Sequence, residues 1–156
     1  MDPSEQLVVF SLDWQRYALR LSAVERVVRA VEVTPLPAAP EIVLGVINVE
    51  GSIVPVMNIR KRFRLPEKEM SLSDHLILAR TARRPVFLLV DSVSGIIEVP
   101  AGEVIDASKI LPRMEYLEGV LKLEDGMVLI HDLDRFLSLE EDRLLDEAIS
   151  HARVSG

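Results

Sequence analysis

His131, Asp132 and Asp134 put an imidazole and two carboxylates within four positions, the donor types that hold a divalent cation. The run that precedes them is apolar and strand-like, so Asp132 is better placed to cap the turn that follows. Asp91 stands beside Ser92 and Ser94, a carboxylate next to hydroxyls as a general base would need. The same residue types also bond their own backbone in turns, and that reading accounts for them. His75, His131 and His151 lie far apart, and no phosphate loop, GxGxxG, HExxH or nucleophile elbow occurs. We expect no catalytic residue, no metal, no cofactor and no enzyme activity. One charged group remains: Arg60-Lys61-Arg62-Arg64 is basic in an acidic chain. It is either a solvated helix face or a docking patch for acidic protein surface.

These residues hang on strands. Leu7 to Leu12 and Tyr17 to Leu21 alternate well enough for a hairpin, and Arg26 to Val33 reads as a third strand. Thr34 to Pro40, with three prolines, is a stiff connector to a central hairpin, Val43 to Val49 and Ile53 to Met57, around Glu50-Gly51. Pro55 marks its second strand as an edge or a bulge. Asn58 is a plausible N-cap for one or two helical turns carrying the basic group. Leu76 to Thr81 and Val86 to Asp91 form the next hairpin, followed by a short strand, Ile96 to Val99. Ala101 to Met114 has no clear period and reads as loop. Tyr116 to Leu123 and Met127 to His131 form the last hairpin, around Asp125-Gly126. Ser138 with Glu141 matches a capping box, and Leu145, Ala148, Ile149 and Ala152 form one stripe of a C-terminal helix.

The central hairpin recurs 74 positions later: Gly45 falls on Gly119, Val46 on Val120, Val54 on Val128 and Ile59 on Leu133. A second match, offset by 69, sets Tyr17 to Val28 on Val86 to Ile97, with Val24 on Val93. Two matches in the same order imply two copies of one small β unit.

The chain is long enough for one domain or two small subdomains sharing an interface. It contains no cysteine, which excludes disulfides and thiolate chemistry and fits a reducing cytoplasm. MDPSEQ lacks the plan of a signal peptide, and no apolar run has the roughly 20 residues of a membrane helix. A net charge of −7 argues against nucleic acid. A cytoplasmic protein that works by binding, through strand edges or a groove between sheets, is the expectation.

LGVINVEGSIVPVMNIRKRF resembles the signature of the chemotaxis coupling family CheW: a glycine, an Asn-Leu-Arg-Gly turn, a Val-Pro strand and an Asp-Leu-Arg helix start. LVVFSLDWQRYALRLSAVERVV is similar to the family's opening strands, and TPLPAAPEIVLG to its proline linker. VFLLVDSVSGIIEVP and YLEGVLKLEDGMVLIHDLDRFL resemble its second half, so the likeness covers nearly the whole chain. It implies an all-β fold of two small SH3-like five-stranded barrels packed together, with a C-terminal α-helix. We place the halves at 20–81 and 82–137, the N-terminal strands shared between them, and the helix at 138–152.

The resemblance further implies a non-catalytic adaptor. Its partners would be the cytoplasmic tip of a methyl-accepting chemoreceptor and the regulatory domain of a CheA-type histidine kinase. It puts the receptor groove at Val24, Arg26, Val27, Glu50 and Gly51, and the kinase edges around Arg60, Asp91, Val93 and Gly95. The family's turn arginine is Glu50 here, and the acid two residues after Val24 is Arg26. We therefore expect Arg26 and Glu50 to face each other as a swapped salt bridge. The alternative is a divergent adaptor of another two-component pathway, for surface motility or gene regulation. A small-ligand sensor or enzyme would instead need a polar pocket with a perturbed acid or base.

Overall fold

The computed structural model describes residues 4–106 and 116–155. In chain order the strands are β1 (Ser4–Leu12), β2 (Gln15–Arg20), β3 (Val24–Arg29), β4 (Val43–Val49), β5 (Ser52–Met57), β6 (His75–Arg80), β7 (Pro85–Val90), β8 (Ser92–Pro100), β9 (Val104–Asp106), β10 (Leu117–Leu123) and β11 (Gly126–His131). A short helix α1 (Ile59–Arg62) follows β5, and a long one, α2 (Leu139–Ser155), ends the chain. The strands form two sheets, ordered β8-β1-β2-β11-β10-β9 and β3-β6-β7-β5-β4. This is the expected all-β fold of two SH3-like units with one C-terminal helix. One sheet has six strands rather than five, because β9 pairs with β10 inside the stretch read as loop. The rest of that stretch, from 107, lies outside the described residues.

The internal repeat is real, but its copies are intertwined. β4 and β5 pair Val43 with Met57 and, after a bulge, Gly45 with Val56; β10 and β11 pair Leu117 with His131 and, after the same bulge, Gly119 with Ile130. β3 and β6 pair Val24 with Ala79, then Arg26 with Leu78; β8 and β1 pair Val93 with Phe10, then Gly95 with Val9. Parallel contacts match as well: Val56 with Phe87, and Ile130 with Ala18. Each repeat gives its first hairpin to one sheet and its later strands to the other. The chain crosses between sheets at Leu21–Ala23, a 3-10 turn, and again at Asp91. The halves therefore do not divide at 81/82. β7 pairs with β6 and β5, so the five-stranded sheet runs to Val90, and β1 and β2 belong wholly to the other sheet.

Strand patterning follows from this exchange. Leu76 and Leu78 fill the core of the five-stranded unit with Val54, Val56 and Phe87, while Ile77 and Ala79 face the core between the units. In the six-stranded unit Leu7, Val9, Ala18 and Ile130 face inward, and Phe10, Leu12, Tyr17 and Leu129 join the shared core. A strand with core on both faces reads as a continuous apolar run, not as alternation.

Turns and ends differ from expectation in detail. Glu50 and Gly51 have φ of 51° and 89°, the left-handed pair of a two-residue hairpin turn. The last hairpin turns at Glu124 and Asp125 instead, and Gly126 opens β11. β8 runs from Ser92, longer than the predicted 96–99. Pro55 is not at an edge: β5 lies between β7 and β4. It opposes Val46, whose N–H and carbonyl both go to Thr34 (2.8 and 3.0 Å), and pairing with β7 starts only at Val56, so no ladder donor is missed. Asn58 takes the N-cap position without a side-chain cap bond. The capping box of α2 forms as expected: Glu141 N–H donates to Ser138 Oγ and Ser138 N–H to Glu141 Oε1, both 3.0 Å. Leu145 and Ala148 are buried, and the side chains from 152 onward lie outside the described residues.

Gly45 is required by close approach. A Cβ there would lie 2.3 Å from the Thr34 carbonyl oxygen, whereas at Gly51 it would meet open space. Gly45→Ala should therefore lower the unfolding free energy by about 3 kcal/mol, and Gly51→Ala, which meets only left-handed strain, by about 1 kcal/mol. Urea denaturation of both variants checks this; equal losses would contradict it.

Candidate functional site

β3 ends one sheet and β8 ends the other, and the repeat makes them equivalent. Of the residues expected at the two partner sites, Val24, Arg26 and Val27 fall on β3 and Val93 and Gly95 on β8, while Glu50, Gly51, Arg60 and Asp91 lie elsewhere. Val24 matches Val93, and both are half-buried against the shared core. Arg26 matches Gly95, each following the bulge. The strands differ in charge. β3 exposes Glu25, Arg26 and Arg29, with Glu25 held by Arg80 at 3.0 Å. β8 carries no charge from Ser92 to Ile97. Ile96, the equivalent of Val27, is 59% exposed against 39% for Val27. The 69-residue offset that sets Val27 on Ile96 is the signal in the sequence that points to this residue.

Glu50 and Gly51 sit at the tip of the β4–β5 hairpin, where Gly51 N–H donates to Asn48 Oδ1 at 2.8 Å. The expected Arg26–Glu50 salt bridge is absent: no ion pair joins them, and their strands lie at opposite ends of the sheet order. The acid beside Arg26 that does find a partner is Glu25, which takes Arg80 across the β3–β6 pair.

Arg60 and Asp91 do come together, but inward. The Arg60 guanidinium is buried and donates to Asp91 Oδ1 and Oδ2 (2.8 and 2.7 Å), to Asp13 Oδ1 (2.9 Å) and to the Pro66 carbonyl (3.1 Å). Asp13 N–H adds a 2.6 Å bond to Asp91 Oδ2, and Asp91 N–H bonds the Ser11 carbonyl at 3.0 Å. Burial alone would raise the Asp91 carboxyl; the Arg60 and Asp13 donors outweigh it and hold it below the usual aspartate range. This network ties α1, the β1–β2 turn and the second crossover into one unit. Its charged atoms are committed to each other, so Arg60 and Asp91 position β8 without offering a free contact. Two more members of the basic group, Arg62 and Lys61, are engaged too. Arg62 pairs with Glu141 at 2.5 Å and lies over the Tyr116 and Phe136 rings, and Lys61 reaches Glu67 at 3.3 Å.

His131, Asp132 and Asp134 do not converge. Asp132 caps the turn Leu133–Arg135, accepting from Asp134 N–H at 3.1 Å, and Asp134 accepts from Ala82 N–H at 2.8 Å. His131 points into the core, edge-on to Phe63 and Phe136 with ring centroids 5.0 Å away, and neither nitrogen has a hydrogen-bond partner in the protein. Among the described residues no three ligand-type side chains are placed to hold a metal. A cleft of about 610 Å³ opens between the β6–β7 turn and the start of α2. Its charges are tied down, Arg83 to Asp142 at 2.9 Å and Asp134 to the turn backbone.

The profile of the CheW-like domain matches residues 6–141. The chain belongs to the CheW-like domain family. It is 31% identical over 138 residues to a "Chemotaxis protein CheW" of Rhizobium meliloti, covering 87% of this chain and 89% of that one. A protein of the same description from Thermotoga maritima is 27% identical over 133 residues, with 85% and 87% covered. Among solved structures, "scaffolding protein TtCheW" from Thermoanaerobacter tengcongensis superposes with a TM-score of 0.80 at 28% identity, over 90% of this chain and 96% of that one. A CheW-like fold thus carries the two edges and the buried network described above.

His131 occupies the position that Met57 fills in the other repeat. Burial, and secondarily the charge of Arg62, lowers its pKa from 6.5 to about 3. It is therefore neutral when folded and protonated below about 6.5 when unfolded. Stability should fall as pH drops from 6.5 toward 3, by up to about 1.4 kcal/mol per pH unit. His131→Met removes two unpaired polar atoms, so it should add about 1–2 kcal/mol at pH 7 and flatten that slope. Denaturant titrations at pH 7, 5.5 and 4.5 check this; an unchanged slope would contradict it.

Proposed function

We propose that the protein is a non-catalytic adaptor in the cytoplasm. It would couple the tip of a methyl-accepting chemoreceptor to the regulatory domain of a CheA-type histidine kinase. Family membership supports the adaptor role, and one structural observation carries the two-partner reading. The fold presents two equivalent edge strands, one charged along its length and one uncharged over its first six residues, so a single small protein offers two sites of like shape and unlike chemistry. In this reading Val24, Arg26 and Val27 on β3, with Glu50 and Gly51, meet the receptor. Val93 and Gly95 on β8 meet the kinase, held in place by Arg60 and Asp91. No helix among the described residues is long and apolar enough to cross a membrane, so membrane attachment would come through the receptor.

The test is a pair of titrations against a receptor-tip fragment and a kinase regulatory domain. Arg26→Glu reverses an exposed charge on β3 and should weaken receptor binding about tenfold with little effect on the kinase. Ser94→Arg, at the exposed bulge of β8, should do the opposite. Loss of both partners in either variant would contradict separate sites. Binding of neither partner by the folded wild type would favour the second reading, an adaptor of another two-component pathway. The Arg26 and Glu50 reversals favour that reading specifically, because they change the field a typical partner would meet.

A further inference from the structure

We propose that β8 is a self-pairing edge, through which two copies of this chain join antiparallel across a two-fold axis at Ile96. The sheets end at four strands, and three of them are protected in recognisable ways. β9 is three residues long. β4 is covered where Thr34 bridges Val46. β3 bears Glu25, Arg26 and Arg29 on its exposed positions. β8 shares none of these three features over its first six residues; its own protection is confined to the bulge at Ser94, to Glu98 and to the closing Pro100. It spans nine residues, its register joins it among the described residues to β1 alone, and its first six residues carry no charge in a chain that is 28% charged. Ile96 stands exposed at the centre of the nine-residue strand, beyond the bulge at Ser94.

The strand is also complementary to itself. A two-fold axis perpendicular to the sheet keeps each face on its own side, so a symmetric register must centre on a residue. Centred on Ile96, it packs that side chain against its own copy on the exposed face. Ser94 then meets Glu98 of the second copy, a hydroxyl donor against a carboxylate, and Gly95 leaves room for Ile97. No like charges oppose each other, although each copy carries −7 overall. This is the edge assigned above to the kinase, and to that extent the consequence rests on that reading. A homodimer and a kinase complex would exclude each other, and self-association would hold the adaptor in reserve at high concentration.

Sedimentation velocity on the isolated chain, from about 10 µM to about 1 mM, reads the association directly. A shift toward twice the monomer mass is expected. Ile96→Lys should weaken dimerisation at least tenfold while its unfolding transition matches the wild type. Because the chain has no cysteine, a second measurement fixes the register. Under mild oxidation Ile96→Cys should cross-link much faster than Glu98→Cys, since only the axial residue meets its own copy at Cβ distances of about 4.5–5.5 Å. A monomer throughout, a dimer indifferent to Ile96→Lys, or equal cross-linking of the two cysteine variants would overturn the proposal. Kinase is absent from these experiments, so their failure leaves the adaptor reading intact.

Discussion

The core shared by the two sheets is the constraint on which the rest depends. Phe10, Leu12, Tyr17 and Leu19 of one sheet meet Met57, Ile77, Leu88 and Val90 of the other, and Leu133 and Phe136 close it from the start of the C-terminal segment. Each small sheet alone is of the size at which a single core is marginal. Exchange of hairpins makes the dependence topological as well as energetic. Every central strand has one face in its own unit and one in the common core, so a packing change in either unit is felt by both.

This arrangement explains why the open surfaces are edges. Central strands are covered on both faces, and turns at the crossovers are pinned by bonds such as those from Arg60 to Asp91 and Asp13. What remains open is the outer side of β3 and β8. Equivalence gives them the same backbone path, with bulges at matching positions, and side-chain chemistry separates them. Charged β3 favours steering and selectivity; the uncharged first six residues of β8 favour backbone pairing. Duplication supplied two sites of one shape, and substitution made them different.

Much of this was legible in the residues. The 74- and 69-residue offsets located the hairpins and the equivalence of Val24 with Val93, because apolar pattern and turn chemistry are local. The capping box of α2 was legible for the same reason. Sheet membership was not. A continuous apolar run such as Val86 to Val90 shows that both faces are covered, but not by which neighbours, so the units were divided one hairpin strand too early. Charge partners were also out of reach. Arg60 and Asp91 were both singled out, but as exposed edges, since nothing local announces that a guanidinium from α1 will be buried between carboxylates far away in the chain. The Arg26–Glu50 pair failed for the converse reason: complementary charges in the sequence carry no distance.

The most direct test of the intertwined architecture is to divide the chain between Glu69 and Met70, in the loop joining the two repeats, and to follow each fragment by circular dichroism and denaturant titration. Intertwining predicts that neither fragment unfolds cooperatively alone, and that mixing them in equal amounts restores the native spectrum and a single transition. Cooperative unfolding of either fragment by itself would show a barrel that needs no strands from the other repeat, and would contradict the account.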